Sequence, residues 1–137
     1  MRLDPATLQT WRPRALAVLR IVTAYLFIQH GTAKLFGLPH QPMFDNLELF
    51  SLAGLAGLLE VVGGLLLAAG LFTRPTAFVL CGFMAVAYFM AHASQGSPLV
   101  PMLNQGELAV LYCFVFLYFV FSGPGAWSLD AARRRPI

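Results

Sequence analysis

Charged residues are scarce in this chain of 137 residues. They make up 11% of the sequence, whereas soluble domains carry about 25%. Apolar residues make up 58%, so the surface suits lipid better than water. The length fits one domain over residues 1–137 and leaves no room for a separate soluble catalytic domain.

Motifs for metal, phosphate or nucleophilic chemistry are also missing. The sequence has no HExxH pair, no Gly-rich phosphate loop and no nucleophile elbow, so we expect no metal site and leave enzymatic activity open. The two cysteines, Cys81 and Cys113, lie inside apolar runs without a CxxC or metal-ligand spacing. This pattern predicts inert packing thiols rather than a redox pair.

Four apolar segments are present, each near the roughly 20 residues that cross a bilayer as a helix. They cover residues 15–36, 51–72, 76–93 and 105–122 and are separated by Gly- and Pro-containing breaks. The sequence therefore predicts an all-α fold, a bundle of four transmembrane helices. Residues 43–50 place apolar and acidic side chains on opposite helical faces, which indicates either a short helix on the outer membrane surface or an ordered loop.

The placement of the basic residues predicts the topology. The net charge is +3, with arginines in the N-terminal segment, at Arg74 and at residues 133–135. Because these charges flank apolar spans, we interpret them as topology signals and expect no nucleic acid partner. An even number of spans places all three on one side, and the positive-inside rule then puts both termini in the cytoplasm of an inner-membrane protein.

Ionisable residues inside the spans are the most informative feature, because each costs roughly 3 kcal/mol or more in lipid unless it is paired. The first span carries Arg20, His30 and Lys34 on one stripe. Arg20 is close enough to the cytoplasmic end to snorkel, and snorkelling or pairing stay open for Lys34. Glu60 lies near the middle of the second span on a face of small residues, which predicts a tight helix contact.

The third and fourth spans contribute polar residues at their outer ends. His92 closes the third, and the pattern Asn104 to Glu107 at the start of the fourth matches a capping box. If the polar stripes face each other, they form a pocket open to the outer side, with Glu60 at its floor. The candidate ligand-binding residues are His30, Lys34, Glu60, His92, Asn104 and Glu107.

Several of these segments resemble signatures of the DoxX family. They are residues 29–35 (QHGTAKL), 57–64 (GLLEVVGG), 70–74 (GLFTR), 104–107 (NQGE) and 123–130 (GPGAWSLD). The resemblance extends over nearly the whole chain. It implies a four-helix inner-membrane protein connected with respiratory or thiosulfate–quinone redox systems and oxidative-stress complexes. It carries over His30, Lys34, Glu60, Asn104 and Glu107 as motif positions.

The leading hypothesis for function is an accessory or subunit of a membrane redox system. The pocket would bind a quinone, a lipid or a similar apolar molecule, and the protein could dock an oxidoreductase at the bilayer. Two alternatives stay open. One is a transporter of a small solute or lipid, which with four helices would need a homo-oligomer, and the other is a purely structural membrane subunit.

Overall fold

Helices account for all the regular secondary structure in the part of the chain that the computed structural model describes, residues 4–133. The α-helices are α1 (Pro5–Phe36), α2 (Leu52–Ala69), α3 (Thr73–Ala87), α4 (Glu107–Ser122) and α5 (Leu129–Arg133). A π-helical turn, Tyr88–His92, and a 3₁₀ turn, Ala93–Gln95, continue α3. The predicted all-α class is confirmed.

Three helical segments are long and apolar enough to cross a membrane: Pro5–Phe36, Leu52–Ala69 and Thr73–Gln95. The fourth apolar helix, α4, is shorter at 16 residues. Together they agree with the prediction of a helical membrane protein. The loop between α1 and α2 contains only one 3₁₀ turn, Pro42–Phe44, and then continues as turns, so an ordered loop and not an α-helix occupies most of residues 43–50.

Helix α1 begins ten residues before the predicted span, at Pro5. Asp4 caps its first turn, because its carboxylate accepts hydrogen bonds from the Thr7 amide at 2.9 Å and the Thr7 hydroxyl at 2.6 Å. Pro5 stands at the first helical position, where its lack of an amide proton costs nothing. The apolar run therefore marks only the membrane part of a longer helix.

The described chain divides into two compact units. The first contains α1, α2 and the C-terminal segment from Pro124. Here α1 and α2 approach closely enough that a Cβ added to Gly31 would lie 2.7 Å from the carbonyl oxygen of Gly57. Small residues permit this backbone contact, as predicted for the face of α2 that carries Glu60.

The second unit covers residues 73–123 and contains α3 and α4 with the loop that joins them. Leu80 on α3 and Phe116 and Phe119 on α4 are almost completely buried. Arg74 donates hydrogen bonds to the carbonyls of Val120 at 2.6 Å and Phe121 at 2.9 Å. The last carbonyls of a helix lack intrahelical donors, so Arg74 caps the end of α4.

Candidate functional site

A buried ion pair connects α1 to α2. The Lys34 ammonium lies 2.5 Å from Oε1 of Glu60, and the two side chains are only 16% and 5% exposed. Gly57, one turn before Glu60, leaves space for the Lys34 side chain, because a Cβ at position 57 would lie 3.1 Å from Cβ of Lys34. The sequence left both snorkelling and pairing open for Lys34, and in the structure Lys34 is paired.

The second carboxylate oxygen of Glu60 is buried and has no hydrogen-bond partner among residues 4–133. A buried acceptor without a donor carries a desolvation cost of about 1–3 kcal/mol. The pair therefore holds one acceptor that a donor from outside the described chain would satisfy.

A cavity of about 330 Å³ adjoins the Lys34 side of the pair, near the lower limit of typical small-molecule sites. Its lining combines apolar side chains with a few polar groups and includes Lys34, Gln41, Phe44, Asp45, Leu47 and Leu49. The Lys34 ammonium lies 5.8 Å from the centre of the Phe44 ring, within cation–π range. The α1–α2 loop thus forms one wall of a space that has a cation at its edge.

His30 lies one helical turn before Lys34 on α1, and its side chain is exposed. It is therefore not part of the buried pair, although it lies on the same stripe. In the second unit, Glu107 is likewise exposed, in the first turn of α4. These two residues keep the helical positions that the sequence predicted, without the burial that distinguishes Glu60.

Asn104 is buried and organises the loop before α4. Its amide nitrogen donates to the hydroxyl of Tyr88 at 3.1 Å and to the carbonyl of Ser97 at 3.0 Å, and its Oδ1 accepts from the amide of Gly106 at 2.9 Å. Nδ1 of His92 lies 3.2 Å from the Asn104 carbonyl oxygen. His92 and Asn104 are thus brought together as a loop-anchoring cluster.

The predicted capping box at Asn104 is wrong. Helix α4 begins at Glu107, and its N-cap is Gly106, which provides no side-chain hydrogen bond. Asn104 instead closes a turn two residues long, because Oδ1 of an Asn readily accepts from the amide two positions on. Gly106 is required there, since a Cβ would lie 2.5 Å from the Tyr88 ring.

Arg20 is the polar residue whose role the sequence reasoning missed. It does not snorkel; its side chain is fully buried in the first unit. All five of its N–H groups are used, on the main-chain carbonyls of Leu67, Ala68, Pro124, Ala126 and Trp127 at 2.5–3.3 Å. The sequence carries no signal for these acceptors; in the structure Gly70 leaves space for the guanidinium, because a Cβ at this helix end would lie 2.9 Å from Nη1 of Arg20.

The candidate residues therefore form two sets. Lys34 and Glu60 make a buried pair in the first unit, and His92 and Asn104 a hydrogen-bonded cluster in the second. Their convergence on one pocket stays a prediction. Within residues 4–133, no three His, Cys, Asp or Glu side chains are grouped so that they could hold a metal ion.

Apolar helices long enough to span a bilayer, with a buried Lys–Glu pair between two of them, define a helical integral membrane protein. The sequence profile of the DoxX family matches residues 15–93. Because this is more than half of the chain and close relatives match along most of their length, the protein belongs to the DoxX family.

Three relatives illustrate the range of similarity. An uncharacterized protein of Haemophilus influenzae is 50% identical over 125 residues, 90% of this chain and 93% of the relative. The inner membrane protein YqjF of Escherichia coli is 31% identical over 82% of this chain and 87% of its own. The uncharacterized membrane protein Rv3486 of Mycobacterium tuberculosis is 29% identical over 92% of this chain and 85% of its own. No solved structure matches the chain.

Proposed function

We propose that this protein is an accessory of a membrane redox system and binds the head group of a quinone, or of a similar apolar carbonyl compound, beside the Lys34–Glu60 pair. One observation carries the proposal. A buried carboxylate keeps one oxygen without a donor, and its Lys34 partner borders a cavity of about 330 Å³. An ion pair with a purely structural role would be more stable with that acceptor satisfied.

The lining residues suit such a ligand. Phe44, Leu47 and Leu49 offer apolar contact for a ring. The Lys34 ammonium at the cavity is a donor for a carbonyl oxygen. Glu60 lies behind Lys34 and does not line the cavity itself, so in this proposal a ligand hydroxyl reaches past Lys34 to the free Glu60 oxygen. A bound quinone would supply two-electron redox chemistry, and Lys34 and Glu60 would hold and transfer the accompanying protons at its oxygens.

The proposal includes a location in the inner membrane with both termini in the cytoplasm. Three observations support it: the basic residues at both ends, Arg74 in the connection between α2 and α3, and the relative named as an inner membrane protein. Lys34 lies two residues before the end of α1, so in this topology the cavity opens towards the outer side. Glu60 lies eight residues into α2, about 12 Å from the start of that helix at 1.5 Å per residue.

The test is quinone binding by the full chain in lipid nanodiscs. Decylubiquinone is titrated against the wild type and against Lys34→Met and Glu60→Gln, and retention is measured by native mass spectrometry. We expect each variant to bind at least about tenfold more weakly, since one charge-assisted hydrogen bond contributes about 1.5–3 kcal/mol. Glu48→Gln is the matched control, because it removes an exposed carboxylate in the same loop and leaves the pair intact.

Equal binding by the wild type and Glu60→Gln would refute the site. A structural subunit is the second candidate, favoured by the way the pair joins α1 to α2. It predicts that Glu60→Gln lowers stability or releases an oxidoreductase partner from the membrane with no change in quinone retention. Transport by a homo-oligomer predicts instead a solute flux in proteoliposomes that depends on Lys34.

A further inference from the structure

The two cysteines of the chain lie in contact across the two helices of the second unit. Sγ of Cys81 on α3 is 3.7 Å from Sγ of Cys113 on α4, although 32 residues separate them in sequence. Neither thiol has a hydrogen bond to any other side chain in residues 4–133. The expectation that they are unrelated packing residues did not anticipate this contact.

Their surroundings make the pair reachable from the lipid. The helix contact is closed next to the cysteines. Leu80, which precedes Cys81 on α3, and Phe116, about one turn after Cys113 on α4, are at most 1% exposed. Cys81 and Cys113 are half-buried, so they lie at the edge of the helix contact rather than at its centre. A molecule dissolved in the hydrocarbon can therefore approach both sulfurs from the side.

Depth restricts the class of oxidant. Cys81 is eight residues from Thr73, where α3 begins, and Cys113 is six residues from Glu107, where α4 begins. At 1.5 Å per residue these are about 12 Å and 9 Å into their helices, inside a hydrocarbon layer roughly 30 Å thick. Water-soluble disulfides such as glutathione disulfide do not enter that layer, whereas a lipid-soluble quinone does.

We propose that Cys81 and Cys113 form a dithiol redox site that a membrane quinone oxidises to a disulfide between α3 and α4. The two S–H bonds break and one S–S bond forms, and the two electrons and two protons reduce the quinone to a quinol. The sulfurs must move from 3.7 Å to about 2.05 Å. This site is separate from the Lys34–Glu60 pair and uses none of its residues.

The closed bond would fix one helix to the other. Cys81 and Cys113 are the only cysteines in the sequence, so oxidation inside one chain can give only this product. The bond would prevent α3 from sliding along α4 and so give the second unit a form that depends on the redox state of the quinone pool.

The experiment uses the reduced, full-length protein in liposomes. Decylubiquinone is the oxidant, because its fully substituted ring does not retain a thiol adduct. Free thiols are counted by maleimide labelling after denaturation, and intact mass, non-reducing electrophoresis and quinol absorbance are recorded. We expect both thiols to be lost together, the mass to fall by two hydrogens, the chain to stay monomeric on the gel and one quinol to form per chain.

The controls separate geometry from oxidant. Cys81→Ala and Cys113→Ala should each keep their remaining thiol and form no quinol, and glutathione disulfide should not react with the wild type. Diamide, which is membrane-permeable, tests the geometry in the unaltered protein. No intramolecular bond with diamide, or only chain-to-chain cross-links, would overturn the pairing. A bond with diamide but none with the quinone would overturn the assigned oxidant.

Discussion

Replacing Arg20 with Met should detach the C-terminal segment from the end of α2. In the first unit the guanidinium donates to two carbonyls at the end of α2 and to three in the segment that starts at Pro124. Two backbone hydrogen bonds reinforce this arrangement. The Ala126 amide donates to the Pro13 carbonyl at 2.8 Å, and the Asp130 amide donates to the Gly70 carbonyl at 2.9 Å. Met fills similar volume but donates nothing, so five carbonyls lose their donor at once.

The magnitude follows from the number of hydrogen bonds. Interhelical hydrogen bonds in a membrane protein average about 0.6 kcal/mol, so five contribute about 3 kcal/mol. Charge-assisted bonds in soluble proteins contribute about 1.5 kcal/mol each at the low end of their range, which gives about 7.5 kcal/mol for five. We therefore expect Arg20→Met to lower the free energy of unfolding by about 3–7.5 kcal/mol. Arg20→Lys should lose less stability than Arg20→Met but remain less stable than the wild type, because an ammonium has three donors and no planar fork.

The assay is steric trapping in bicelles, which measures the free energy of unfolding in a lipid environment, together with chymotrypsin cleavage after the exposed Trp127. Arg74→Met is the matched control, because its exposed guanidinium donates to only two carbonyls and should cost about 1 kcal/mol by the same average. If Arg20→Met lost no more stability than Arg74→Met and left cleavage unchanged, the five hydrogen bonds would not hold the segment.

Two further perturbations test the helix contact and the start of α1. Gly31→Ala should lower the free energy of unfolding by about 1–3 kcal/mol, because the added Cβ would lie 2.7 Å from the Gly57 carbonyl oxygen. Gly82→Ala is the control and should be neutral or stabilising, because nothing lies within 4 Å of a Cβ there. Equal free energies of unfolding for the two variants would contradict the tight contact. Hydrogen bonds from Thr7 hold the pKa of the exposed Asp4 carboxyl below its usual 3.8, so its cap stabilises the first turn above that pH and is lost as the pH falls through the lowered pKa. The protection factors of the first-turn amides, which correct for the intrinsic slowing of exchange in acid, should therefore fall in acid in the wild type and not in Asp4→Asn, and an identical acid response in both would refute the cap.

The helices were predictable because their signals are local. Apolar runs of membrane length gave α2 and α3 within a few residues, and the small residues around Glu60 correctly indicated a close helix contact. The helix starts were less predictable. A polar first turn hid the beginning of α1 at Pro5, and the hydrogen bond from Gly106 to Asn104 moved the start of α4 to Glu107.

The partners of the buried groups were not predictable, because they depend on which distant segments meet. Arg20 lies more than 100 residues from Pro124, and its acceptors are main-chain carbonyls that no side-chain pattern reveals. The same holds for Cys81 and Cys113, whose spacing matches no motif until α3 and α4 are placed side by side. The Lys34–Glu60 pair was within reach of prediction, because only one acidic residue lies deep in an apolar span.

Hydrogen-bond satisfaction distinguishes the two most deeply buried charges. Arg20 uses every donor that it has, so its desolvation is compensated and its role is complete inside the first unit. Glu60 is nearly as buried but leaves one oxygen without a donor. Unsatisfied polar atoms lower stability and persist where function requires them. This difference is the reason why the proposed ligand site lies beside the Lys34–Glu60 pair, where Lys34 borders the cavity, and not beside Arg20.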